Sequence, residues 1–137
     1  MTPQHSIVKH DPPHSYGDCL RACIASVMDQ PIEQVPHFAA HGATGDEAMV
    51  KVRQHLVPMA PFIVAWPGDI ALGDLHEMQR VHTPHRSYIL FGGTHNGGDH
   101  CVVCQGGEIV HNPAWYGCNI VGPLSNGTWQ VLVVGRV

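Results

Sequence analysis

Apolar positions change their period once along this chain. From about Gly17 to Asp29, GDCLRACIASVMD places Leu20, Cys23, Ile24, Val27 and Met28 at i, i+3, i+4, i+7 and i+8. That is the stripe by which an amphipathic helix faces a core. Ala22 and Ala25 keep its flanks slim, which suits a helix crossing the middle of a domain. Upstream, residues 1–15 read as extended, because Pro3, Pro12 and Pro13 deny regular structure. PIEQV predicts a further helical turn opened by Pro31 and stopped before Pro36. DEAMVKVRQHLV predicts a helix capped by Asp46, with Ala48, Met49, Val52 and Leu56 on one side.

After Pro58 the period shortens. PFIVAW, SYILF, HCVVC, EIVH and WQVLVVGRV are β-branched and aromatic runs divided by Gly, Pro and Asn, and they read as antiparallel strands. Between the first two, GDIALGDLHEMQRVHTPHR carries part of a helix. Helices first and strands after predict a single α+β domain over residues 1–137, its N-terminal helix packed on an antiparallel sheet.

Composition narrows the partners. The formal charge is -4 with seven Lys plus Arg, too few basic groups for nucleic acid or an anionic membrane surface. MTPQHSIVKHDPP has no apolar core of a signal segment, and PFIVAWP is too short to span a bilayer, so a cytoplasmic location is expected. The five cysteines, Cys19, Cys23, Cys101, Cys104 and Cys118, are odd in number and lack a secretory context. Free thiols are therefore the expectation, each to be judged as core, ligand or nucleophile.

Cys19 stands apart from the others. It lies in the first turn of the predicted helix, between Asp18 and Leu20, where unpaired N–H groups and the positive end of the helix dipole stabilise an anion. A thiol there is expected to have a lowered pKa, and the same N–H groups can receive an oxyanion. Cys23 falls in the apolar stripe and reads as core.

A nucleophilic thiol needs a base, and GGDHCVVCQGGEIVHNPAW supplies one. HCVVC and EIVHN read as a hairpin turning at Gln105-Gly106-Gly107, with His100 opening one strand and Asn112 closing the other. A three-residue loop makes His100 face Asn112. A two-residue Gly106-Gly107 turn shifts the register by one and puts the two on opposite faces. The chemistry therefore requires an odd-length loop or a bulge. Asn112 can then hold one imidazole nitrogen while the other faces Cys19, with Trp115 covering the pair.

These residues resemble the papain-like cysteine peptidase superfamily: a Cys at the start of a central helix, a His at a strand start, and an Asn twelve residues later with a Trp nearby. GDCLRACIASVM, VPHF and HCVVCQGGEIVHNPAW are similar, more narrowly, to small bacterial and phage relatives of the double-glycine-leader peptidases that process bacteriocins. The resemblance implies a papain-like fold and a thiol-dependent hydrolase (peptidase, isopeptidase or amidase) acting on a peptide or protein substrate without a cofactor; the same site can also serve acyl transfer, since the acceptor is chosen outside the motif. It implies Cys19 as nucleophile, His100 as general base and acid, and Asn112 as the orienting residue. Close relatives commonly carry Asp in the third place. The Gln that usually precedes the nucleophile by six positions is replaced by Pro13; Gln4, His14, Ser15 and the Asp18 region are the other donors in reach of the sequence.

Other readings compete. A binding protein can keep this fold and lose the chemistry. Cys101 and Cys104 have CxxC spacing, with His95, His100 and His111 near, but zinc sites set CxxC on a turn, whereas strand residues three apart point to opposite faces. A redox pair, Cys101 with Cys104 or Cys19 with Cys23, lacks the helix-start CxxC of thioredoxin-like proteins. GGTHNGG has no P-loop lysine and reads as a connection beside the cleft.

Overall fold

All five predicted strands join one antiparallel sheet in the computed structural model, which describes residues 1–10, 14, 15, 17–40 and 45–136. They are β1 (Phe62–Pro67), β2 (Arg86–Gly93), β3 (Asp99–Gln105), β4 (Glu108–His111) and β5 (Thr128–Arg136). Their order across the sheet is β1-β5-β2-β3-β4, so the last strand inserts between the first two. The helices are α1 (Cys19–Val27), α2 (Gly45–His55) and α3 (Leu72–His82), with short 3-10 turns at Ile32–Gln34 and Val57–Met59.

Strands β2, β3 and β5 are apolar at nearly every position because both faces of the sheet are covered. Ile89, Cys101, Val103, Leu132 and Val134 pack on one face against Ala22, Cys23, Ile24 and Ala25 of α1 and Val52 of α2. Tyr88, Leu90, Val102, Cys104, Trp129, Val131 and Val133 pack on the other, where α3 contributes Leu75. Leu75 is fully buried, and removing such a side chain from water contributes about 2 kcal/mol. The segment between β1 and β2 thus supplies a second helical layer, beyond the single helix-on-sheet packing that the sequence predicts. No helix among the described residues is long and apolar enough to cross a membrane.

Local chemistry trims the predicted helices. α1 begins at Cys19, two residues after Gly17, because Asp18 leaves helical geometry (φ -111°, ψ 31°). It ends with Asp29 at φ 54°; Gln30 N–H donates to Ala25 and Asp29 N–H to Ser26, a Schellman closure with Asp in the usual glycine place. α2 opens at Gly45, so Asp46 is not its cap; it sits in the first turn, where a carboxylate complements the dipole.

The N-terminal residues run along α1 as a strap. Thr2 N–H reaches Ser26 O, Gln4 N–H reaches Ser26 Oγ, and Ser6 N–H reaches Pro113 O. The buried Asp18 carboxylate accepts from the N–H groups of Ile7 and Val8. The strap therefore ends beside the start of α1, with Lys9 and His10 at the rim of a cleft.

Candidate active site

The β3–β4 hairpin decides whether His100 and Asn112 can meet. Its turn is the two-residue Gly106-Gly107, with φ of 61° and 84°, the left-handed pair that a tight hairpin requires. Left alone, this turn would set the two side chains on opposite faces. A bulge corrects it: Cys104 pairs with Ile109 but Val103 pairs with His111, leaving Val110 as an extra residue. The face of Asn112 is thereby reversed, and His100 Nε2 lies 2.8 Å from Asn112 Oδ1.

The orientation of the Asn112 amide fixes the imidazole tautomer. Asn112 Nδ2 donates to the carbonyl of Cys118 at 2.7 Å and to Asn119 Oδ1 at 3.1 Å. Its oxygen must therefore face the ring, and it also accepts from Ala114 N–H at 3.0 Å. An oxygen can only accept, so His100 carries its proton on Nε2 and keeps Nδ1 as the basic nitrogen. His100 is buried. Burial pulls its pKa down, but the Cys19 sulfur and the Asn112 oxygen outweigh it and hold the imidazole above its ordinary value.

Cys19 is the first residue of α1, partly exposed. It shares with His100 a cleft of about 700 Å³ bordered by the strap, the Thr94–Gly98 turn and residues 116–118. No side chain caps α1, because the Asp18 carboxylate is turned back onto Ile7 and Val8. The first N–H groups of the helix are thus not taken by a cap.

The lowered thiol pKa expected of a helix start is not what this surrounding produces. Cys101 Sγ lies 3.3 Å from Cys19 Sγ. Contact with that second thiol, and then burial, push Cys19 well above the ordinary thiol value, while His100 pulls the other way. Cys101 is fully buried and is itself raised, chiefly by burial. Alternation along β3 separates Cys101 from His100, and the fold decides that the Cys101 face is the one α1 covers, with Cys23 beside it.

Other candidates fall elsewhere. Gln4 Oε1 accepts from Ile32 N–H, beyond the far end of α1 from Cys19, and Ser15 Oγ donates to Lys9 O. Pro13 lies outside the described residues. Trp115 is 65% exposed and meets Tyr116 edge-on, too open to seal the His100–Asn112 bond. Tyr116 borders the cleft instead, its phenol pushed up to about 12, first by burial and then by the nearby Cys19 sulfur. It stays a neutral donor across the physiological range and was not singled out by the sequence. GGTHNGG forms a turn closed by Thr94 N–H donating to Gly98 O, on the cleft rim. Cys101 and Cys104 belong to cores on opposite faces of the sheet, and among the described residues no group of three or more His, Cys, Asp or Glu is arranged to hold a metal ion. His111 faces away from the site, with Nε2 against Gln4 O. Comparison with known proteins found no matching family model, no similar curated protein and no similar solved structure.

Proposed function

We propose that this chain is a thiol-dependent hydrolase of papain-like architecture, cleaving an amide bond through a Cys19 thioester. The observation that carries the reading is the His100 Nε2–Asn112 Oδ1 bond of 2.8 Å, beside a thiol at a helix start in the same cleft. It supplies a nucleophile, a base with one free nitrogen, and a group that orients the base.

The raised thiol makes Cys19 enter as a neutral S–H rather than as a preformed thiolate. His100 Nδ1 takes the proton as sulfur attacks the carbonyl carbon, and the uncapped start of α1 offers the Cys19 N–H to the developing oxyanion. The imidazolium then gives its proton to the leaving amine, and the C–N bond breaks to leave a thioester. Water, deprotonated by His100, attacks next and releases a carboxylic acid and the free thiol. Asn112 stays bound to the ring throughout and stops it from rotating away.

A peptide bearing an electrophilic carbonyl, read by mass spectrometry, tests the reading. One adduct is expected, on Cys19, absent in Cys19→Ala and slowed about a hundredfold in His100→Ala, the usual scale of general base catalysis. An adduct on another cysteine, or a Cys19 no faster than a small free thiol, would leave a binding protein on the same fold.

A further inference from the structure

Three sulfurs converge behind the cleft. Cys101 Sγ is 3.3 Å from Cys19 Sγ and 3.8 Å from Cys23 Sγ. All three are free thiols; Cys101 and Cys23 are buried, whereas Cys19 is partly exposed and borders the cleft. A small solute entering the cleft therefore meets Cys19 first, with Cys101 in contact behind it. A disulfide holds its sulfurs at about 2.05 Å, so the pair must close from its 3.3 Å contact to bond. The α1·β3 packing fixes the pair together before any oxidant arrives.

We infer that Cys19 and Cys101 form a peroxide-reactive dithiol that closes into a reversible disulfide. Cys19 sulfur, its proton taken by His100, attacks one oxygen of a hydroperoxide. The O–O bond breaks, the sulfur becomes a sulfenic acid, and water (or the alcohol of an organic peroxide) departs. Cys101 sulfur then displaces the sulfenic hydroxyl, which leaves as water with the Cys101 proton. Two thiols lose two electrons, and with hydrogen peroxide two waters form. Because Cys101 touches the sulfur being oxidised, ring closure precedes further oxidation to the irreversible sulfinic acid. The chemistry shares its nucleophile with the proposed hydrolase but needs no acyl substrate, so it does not rest on that reading.

Disulfide mapping on the full chain tests it without measuring hydrolysis. Reduced protein is treated with a small molar excess of hydrogen peroxide, blocked with N-ethylmaleimide in denaturant and digested with trypsin. Cleavage after Arg21 separates Cys19, in peptide 10–21, from Cys23, in peptide 22–51. The expected product joins 10–21 to 87–136, with fragment ions placing the link on Cys101. Two of the five thiols are lost to maleimide and return after dithiothreitol. Cys23→Ala should retain the link, and Cys101→Ala should replace it with Cys19 sulfinic acid. A link at Cys104 or Cys118, or a wild-type chain carrying Cys19 sulfinic acid while Cys101 still labels, would overturn the inference. The wild-type map decides it even if a variant fails to fold. Failure of the peptide electrophile to label Cys19 would count against the hydrolase alone.

Discussion

The Cys101 thiol is the leading cause, ahead of burial and against the pull of His100, that holds Cys19 above the ordinary thiol range. Because the thiol is raised by this neighbour first, less thiolate exists at neutral pH, and alkylation of Cys19 should keep accelerating as pH climbs through and beyond the ordinary thiol range. Cys101→Ala removes the leading cause, so the profile should move to lower pH and labelling at pH 7 should rise severalfold, measured by stopped iodoacetamide labelling and mass spectrometry. An unmoved profile would mean that burial alone governs the thiol. The acid limb of the proposed hydrolysis should have the opposite origin: His100 is raised, so it keeps its extra proton to higher pH than a free imidazole, and the proposed rate should fall as pH drops through that range. Asn112 also has a residue-scale reason. Its Nδ2 donates to the Cys118 carbonyl, a bond that a carboxylate cannot make. Asn112→Asp should cost about 1–3 kcal/mol by setting two acceptors against each other, read as a lower unfolding midpoint, while its remaining oxygen can still accept from His100 Nε2.

At the scale of elements, the β3–β4 hairpin rests on a turn and a bulge that offset each other. Both turn glycines have left-handed φ, but they differ in surroundings. A Cβ on Gly106 meets nothing within 4 Å, whereas one on Gly107 comes to 3.2 Å from Arg80 Cβ and from the His76 carbonyl. Gly106→Ala should cost about 1–2 kcal/mol from left-handed conformation, and Gly107→Ala more, since α3 must also give way; paired urea unfolding curves would show the order. The hairpin was legible in the sequence as an alternative, an odd loop or a bulge. Its choice was not, because glycine pairs announce the turn while nothing about Val110 marks it as the residue left out of the ladder. α1 was legible from a local apolar period, and the five strands from short β-branched and aromatic runs bounded by Gly, Pro and Asn, signals that need no distant partner.

The whole molecule brings α1 and the β3–β4 hairpin together at one end of the sheet, and the strap fastens that end. Asp18 is 1% exposed and accepts from two strap N–H groups, with Arg21 at 3.7 Å. Asp18→Ala should leave those donors without their acceptor and destabilise the fold by about 2 kcal/mol. Hydrogen exchange should rise most at Ile7 and Val8, with the change centred on the strap; uniform loosening of the sheet would assign Asp18 a different role.

By itself the sequence determined the kinds of element, a thiol at a helix start and an imidazole at a strand start, because each depends on residues within a turn or two of one another. Tertiary structure decided that α3 covers the second face of the sheet, that a bulge restores the His100–Asn112 pairing, and that Cys101 crowds Cys19. The helical layer and the sulfur contact join segments remote in the chain, and the bulge is a choice of ladder register that no residue of the hairpin announces. A one-residue change of register inverts a face, and one extra sulfur at contact distance reverses the pKa shift that the helix start alone would give.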